Sequence, residues 1–208
     1  MSKSPTLDTK ISSLPLDEAV LPRGTPGSKP ALQFDPALLL QAQNVKVVFF
    51  DVDGVLTDGS LLISEAGETL KRFNTLDGHG LKLLQQAGIT PVVITGRDSA
   101  PLRLRLSALG ITQAYFGTED KRPCAEQSLH ALGLTWAQAA AMGDDWPDMP
   151  VMRRCSVSCA PVNAHAEVRA IASYVTQLGG GHGAAREFCD FLLVASGRYV
   201  DLFNKYSQ

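Results

Sequence analysis

The chain has 208 residues, of which 45% are hydrophobic and 19% charged, with a formal net charge of −2. That composition suits one domain with a sizeable core, or a domain plus a tail. It offers neither the basic excess expected of a nucleic-acid or anionic-membrane partner nor an apolar run of the ~18 residues a membrane helix needs.

Residues 1–36 hold six of the twelve prolines, interleaved with Ser, Thr and Lys, and read as a flexible N-terminal tail. Lys3 and Lys10 are not followed by the apolar stretch of a secretory signal. The four cysteines (Cys124, Cys155, Cys159, Cys189) form no CxxC pair and have no zinc-finger histidines. A cytoplasmic protein with reduced thiols is expected.

A short helix fits Pro36–Gln43. The run Val45–Phe50 is almost continuously apolar and ends at an acidic turn, as a buried parallel strand does. Next, 60–63 and 69–73 flank the polar turn Glu65–Glu68 and read as a hairpin that should project over the preceding acidic turn as a small flap. Alternation follows. Helices are expected at Gly78–Ala87, Ser99–Leu109, Lys121–Leu132, Trp146–Arg153, Ala164–Ala170 and Gly183–Ser196. Strands are expected at Pro91–Ile94, Gln113–Phe116, Ala139–Met142, Ser156–Cys159 and Tyr174–Val175. Residues 198–208 are left as a C-terminal tail. Such alternation predicts an α/β fold with a doubly wound, mostly parallel sheet and ligands at the carboxyl ends of its strands.

Chemistry-bearing residues gather at those ends. After the first strand comes Asp51–Val52–Asp53–Gly54. Extended backbone would aim Asp51 and Asp53 the same way, and two adjacent carboxylates need a cation or a shared proton. Taken alone, the pair is an ordinary solvated turn. Thr95–Gly96–Arg97 supplies a hydroxyl, a tight turn and a guanidinium, a set that suits phosphate. Lys121 opens a helix, where its charge opposes the dipole unless an anion lies near. Gly143–Asp144–Asp145 with Asp148 is an oxygen-rich cluster that suits magnesium rather than zinc or copper. Asp145 and Asp148 also fit a helix N-cap, and both readings can hold together. The four motifs in order amount to one divalent cation, one carboxylate free to attack and a phosphate cradle.

Together these residues resemble the four motifs of the haloacid dehalogenase superfamily. Asp58–Gly59, Phe73–Asn74, Asp77–Gly78–His79–Gly80 and Gly180–Ala184 with Arg186–Glu187 are similar to the 3-deoxy-D-manno-octulosonate 8-phosphate phosphatases, from about Val45 to Gly197. The resemblance implies a Rossmann-like core, here residues 37–197, acting on a sugar-acid phosphate in lipopolysaccharide precursor synthesis. It implies Asp51 as nucleophile, Asp53 as acid and base, and Mg2+ held by Asp51, the Asp53 carbonyl and Asp144, with Asp145 and Asp148 behind the metal. Thr95 and Lys121 would hold the phosphoryl group. Asp53, Asn74, Thr75, Leu76, Asp77, Gly78, Lys82, Arg97, Arg105 and Lys121 would contact substrate, although relatives often carry Arg where Leu76 stands.

About twenty residues separate Asp58 from Gly78, so no large cap domain is expected. An open site of this kind needs cover. The resemblance implies a homotetramer in which hairpins pack together and the Gly-rich stretch 179–187 reaches a neighbouring site. Rival readings are an acylneuraminate 9-phosphate or other sugar phosphate phosphatase, and a phospho-accepting receiver-type switch. Receivers carry their acceptor aspartate where this chain offers Thr95, and lack the Gly-Asp-Asp cluster.

Overall fold

The computed structural model describes residues 32–207. The expected N-terminal tail lies outside them up to residue 31. Helix α1 (Pro36–Ala42) starts where the Asp35 carboxylate accepts the Ala37 N–H at 2.9 Å. It leads into β1 (Val47–Phe50), which is buried throughout.

Strand β1 is central to a six-stranded sheet of order β5-β4-β1-β6-β7-β8. It pairs in parallel with β4 (Thr90–Ile94) and β6 (Ala139–Met142). The remaining strands are β5 (Ala114–Tyr115), β7 (Val157–Ala160) and β8 (Tyr174–Val175), all parallel to their neighbours. The chain moves from β1 outward through α2 (Thr75–Gln86) to β4, then through α3 (Ala100–Leu109) to β5. Helix α4 (Lys121–Leu132) carries it back to β6, and α5 (Met149–Met152) and α6 (Ala166–Ile171) continue in the other direction. Right-handed crossovers therefore put α2 and α3 on one face and α4, α5 and α6 on the other.

Side-chain alternation matches this. Val48 and Phe50 join the core with Leu81, Leu84, Leu102 and Phe188, whereas Val47 and Phe49 join Ala125, Leu129, Met152 and Val168. Each large side chain so buried contributes roughly 1.5–3 kcal/mol relative to exposure. The winding direction reverses between β1 and β6, so a crevice opens beyond their carboxyl ends.

Several boundaries differ from expectation, among them the second arm of the hairpin, which runs Gly67–Leu70 rather than 69–73, and three differences reshape an element. Helix α2 begins at Thr75 rather than Gly78, because Asn74 Oδ1 accepts the Leu76 N–H at 2.7 Å and caps it earlier. The single helix expected over Trp146–Arg153 divides into a 3-10 turn (Trp146–Asp148) and α5. Pro147 and Pro150 remove two N–H donors from that ladder. Beyond α7 (Ala184–Ala195), residues 198–208 are not merely a tail: α8 (Tyr199–Tyr206) forms there and buries Leu202. No described helix is long and apolar enough to cross a membrane.

The flap is the antiparallel pair β2 (Leu62–Ser64) and β3 (Gly67–Leu70). Leu61, Leu62, Ile63 and Leu70 are exposed on it. Among the described residues, nothing larger than this hairpin interrupts the core.

Candidate active site

Asp51 follows β1 directly, its N–H donating to Met142 of β6 at 3.1 Å. The backbone then closes on itself, with the N–H groups of Leu56 and Thr57 both reaching the Val52 carbonyl. Gly54 makes that turn possible with φ 89°. A Cβ there would lie 2.0 Å from Asp144 Oδ2, so the glycine also admits the carboxylate of the neighbouring strand. The Thr57 hydroxyl sits within the turn, accepting the Gly59 N–H at 3.2 Å and lying 3.3 Å from Asp53 Oδ1.

Lys121 binds two carboxylates at once. Its ammonium donates to Asp51 Oδ1 at 2.6 Å and to Asp148 Oδ1 at 2.7 Å. The unusual cation in the first turn of α4 is thereby explained. Burial works to lower the Lys121 pKa, but the charges of Asp148 and Asp51 outweigh it and raise it. Asp148 Oδ2 takes the N–H groups of Asp144 (3.0 Å) and Asp145 (3.2 Å). Asp145 caps the 3-10 turn, its Oδ1 accepting the Trp146 N–H at 2.8 Å.

Burial and neighbouring carboxylates dominate the electrostatics. Burial first, then Asp148, pushes Asp51 up to about 6 despite the opposing Lys121. Burial first, then Asp51 and Asp148, pushes Asp144 up to about 8. The cluster carries more negative charge than one lysine offsets.

The donors fit a hard divalent cation. Asp51, Asp144 and Asp148 each offer an oxygen, all within 4.8 Å of one another. Asp144 Oδ1 is buried and accepts no hydrogen bond among the described residues. Asp148 is already committed through both oxygens, which leaves Asp51 and Asp144 as the available carboxylates. Oxygen donors of this kind suit magnesium.

The other expected site residues divide by environment. Thr95 is buried at the end of β4, its hydroxyl accepting the Arg97 N–H at 3.2 Å. Arg97 is exposed, with Nε 3.5 Å from Glu68 Oε2 and 3.9 Å from Asp53 Oδ2. Thr75 and Leu76 are exposed at the start of α2, and Lys82 is exposed further along it. Arg105 Nη2 donates to the Asn74 carbonyl at 3.2 Å. A Cβ on Gly78 would meet that same nitrogen at 2.2 Å. Asp77 turns inward, accepting the N–H groups of Arg186 (2.8 Å) and Gly183 (3.3 Å) at the start of α7.

Some partners escaped the sequence reading. Lys71 and Glu68 of the hairpin reach Asp53 and Arg97. Asn163 bridges the Gly54 carbonyl (3.1 Å) and the Gly180 N–H (2.6 Å). The Gly-rich stretch packs against the turn that follows β1. Gly181 N–H bonds the Val55 carbonyl at 3.0 Å, and a Cβ on Gly180 would lie 1.8 Å from the Gly54 carbonyl oxygen. The glycine run was the available signal, since only side-chain-free backbone packs so closely.

Residues 118–188 match the family model of haloacid dehalogenase-like hydrolases. The chain is 38% identical over 161 residues to 3-deoxy-D-manno-octulosonate 8-phosphate phosphatase of Escherichia coli K12, covering 77% of this chain and 86% of that one. The crystal structure of the Yersinia pestis enzyme of that name matches with a TM-score of 0.77 and 38% identity, over 79% of this chain and 89% of that one. The Moraxella catarrhalis enzyme, solved with magnesium, phosphate and 3-deoxy-D-manno-octulosonate (KDO), matches with a TM-score of 0.79 and 34% identity, over 83% of this chain and 98% of that one.

Proposed function

The chain belongs to the 3-deoxy-D-manno-octulosonate 8-phosphate phosphatase family of haloacid dehalogenase-like hydrolases, and on that premise we propose that it hydrolyses 3-deoxy-D-manno-octulosonate 8-phosphate to the free sugar acid and phosphate. The observation that carries this reading is the Asp51 carboxylate paired with Lys121 at 2.6 Å, beside an Asp144 oxygen that no protein donor satisfies.

Asp51, the Asp53 main-chain carbonyl and Asp144 would hold the magnesium ion. When bound, it draws charge from the phosphoryl oxygens and neutralises the carboxylate cluster. Lys121, fixed by Asp148, presents an ammonium to the same oxygens, and Thr95 adds a hydroxyl. An Asp51 oxygen attacks phosphorus in line, and the bond to the sugar oxygen breaks. Asp53 delivers its proton to that oxygen as it leaves. Asp53 then takes a proton from water attacking the aspartyl phosphate, which frees phosphate and restores Asp51. Two steps replace one difficult displacement.

Substrate contacts fall to the rim: the exposed Thr75, Leu76, Lys82 and Arg97, with the half-buried Asn74 and Arg105. The cations among them match a substrate that carries a carboxylate besides its phosphate. Asp77 and Gly78 shape that rim from within. The exposed apolar residues Leu61, Leu62, Ile63 and Leu70 support packing of the hairpins in a homotetramer. The same reading places the enzyme in the cytoplasm, in lipopolysaccharide precursor synthesis.

Phosphate release from a panel of sugar phosphates, with magnesium or with chelator, tests the proposal. Selective, magnesium-dependent release from 3-deoxy-D-manno-octulosonate 8-phosphate is expected. Preference for an acylneuraminate 9-phosphate would move the substrate, and no release from any ester would remove the enzymatic reading.

A further inference from the structure

The flap hairpin turns its apolar side chains to solvent but buries two charged ones. The side chains of Glu68 and Lys71 retain 10% and 1% of their accessible surface. Lys71 Nζ lies 2.9 Å from Glu68 Oε1 and 2.5 Å from Asp53 Oδ1. Removing an ammonium from water costs several kcal/mol unless partners compensate it. A buried lysine on an otherwise exposed hairpin is therefore committed to those partners.

The Asp53 carboxylate is engaged unevenly. Oδ1 takes the Lys71 ammonium, with the Thr57 hydroxyl 3.3 Å away. Oδ2 is buried and has no hydrogen-bond partner among the described residues. Arg97 Nε lies 3.9 Å from it, beyond hydrogen-bonding reach. Glu68 holds both cations, lying 3.5 Å from the same Arg97 nitrogen.

We propose that Lys71, braced by Glu68, is a positioning residue for proton transfer: it holds Oδ1 of Asp53 so that Oδ2 stays free for the sugar oxygen. The flap is then part of the proton-transfer apparatus as well as a cover over the site. This inference rests on the acid/base role proposed for Asp53. In the step it serves, the Asp51–phosphorus bond forms, the phosphorus–sugar oxygen bond breaks, and the proton on Asp53 passes to that sugar oxygen.

The test uses the leaving group. A sugar alkoxide needs the proton, whereas p-nitrophenolate is stable without it. First-turnover rates of ester cleavage, with saturating magnesium, are compared for the sugar phosphate and p-nitrophenyl phosphate, using wild type, Lys71→Met, Lys71→Arg and Glu68→Gln. Lys71→Met should lower the first-turnover rate on the sugar phosphate by about 10²-fold, the scale of general acid catalysis, with KM little changed. On p-nitrophenyl phosphate the first-turnover release of p-nitrophenolate should stay within about threefold of wild type, since that step takes no proton from Asp53. Lys71→Arg should restore most of the loss. If Lys71→Met does not fold, Glu68→Gln carries the test, with a smaller loss of the same selectivity. Equal losses on both esters, or no loss on either, would overturn the proposal while leaving the phosphatase reading intact. A wild type inactive on every ester would overturn the reading beneath it.

Discussion

The Lys121 ammonium stands between Asp51 at 2.6 Å and Asp148 at 2.7 Å, so one cation links the carboxylate that follows β1 to the anchor of the β6 loop. Replacing it with methionine should lower kcat by about 10²–10³-fold, the range seen when one donor to a developing charge is lost. Two buried carboxylates would also be left facing each other, at a cost of about 3–5 kcal/mol. Steady-state kinetics and urea unfolding of Lys121→Met check both parts.

Asp51 and Asp144 make stability depend on pH when magnesium is chelated. Their folded pKa values, about 6 and about 8, lie above the ordinary 3.8. Between those limits the folded state binds more protons than the unfolded one, so stability falls as pH rises. Their contribution is fully present below pH 3.8 and is lost as pH climbs through 6 and then 8. Thermal unfolding in chelator should therefore show Tm declining from pH 5 to 8.5, by about 2–4 °C for each kcal/mol lost. Saturating magnesium should raise Tm more at the upper end than the lower, because protons compete for the same carboxylates.

Gly180 and Gly133 should respond very differently to alanine. A Cβ at Gly180 would meet the Gly54 carbonyl oxygen at 1.8 Å, and backbone cannot swing aside. Gly180→Ala should displace the turn between Asp51 and Thr57 and lower both kcat and stability, the latter by about 1–3 kcal/mol. At Gly133, φ is 66° with open space around the added carbon. Gly133→Ala should cost only about 1–2 kcal/mol of backbone strain and leave kcat unchanged.

Trp146 should report metal binding. Its exposed indole donates to His165 Nδ1 at 3.1 Å, and the His165 N–H holds the Asp144 carbonyl at 2.8 Å. Ordering of Asp144 by a cation reaches the indole through that short path. Magnesium titration should change intrinsic fluorescence in the wild type. Trp146→Phe, which leaves Trp136 in place, should abolish the change.

Much of the core was legible because local and tertiary preferences agree there. The bounds of α4 and β6 match the pattern residue for residue, one closed by Gly133 and the other a run of small and apolar side chains between polar turns. Lys121 was legible as a misplaced cation. The division of Trp146–Arg153 depended on two prolines acting in sequence, which periodicity does not register. Lys71 escaped for a geometric reason. It is three residues from Glu68, so strand alternation assigns the two to opposite faces, but β3 ends at Leu70 and the chain turns Lys71 back toward Asp53. Asn163 meets Gly54 across 109 residues, a relation that no local pattern carries. Asp77 was read as a substrate contact, and its buried carboxylate caps α7.

The stereochemistry of phosphoryl transfer tests the central claim, attack by Asp51, most directly. Hydrolysis of a sugar ester bearing a phosphorothioate of defined configuration, in isotopically labelled water, gives inversion for each displacement. Two displacements through aspartyl phosphate predict net retention, with Asp51→Asn inactive. Net inversion, or turnover that survives Asp51→Asn, would contradict the account.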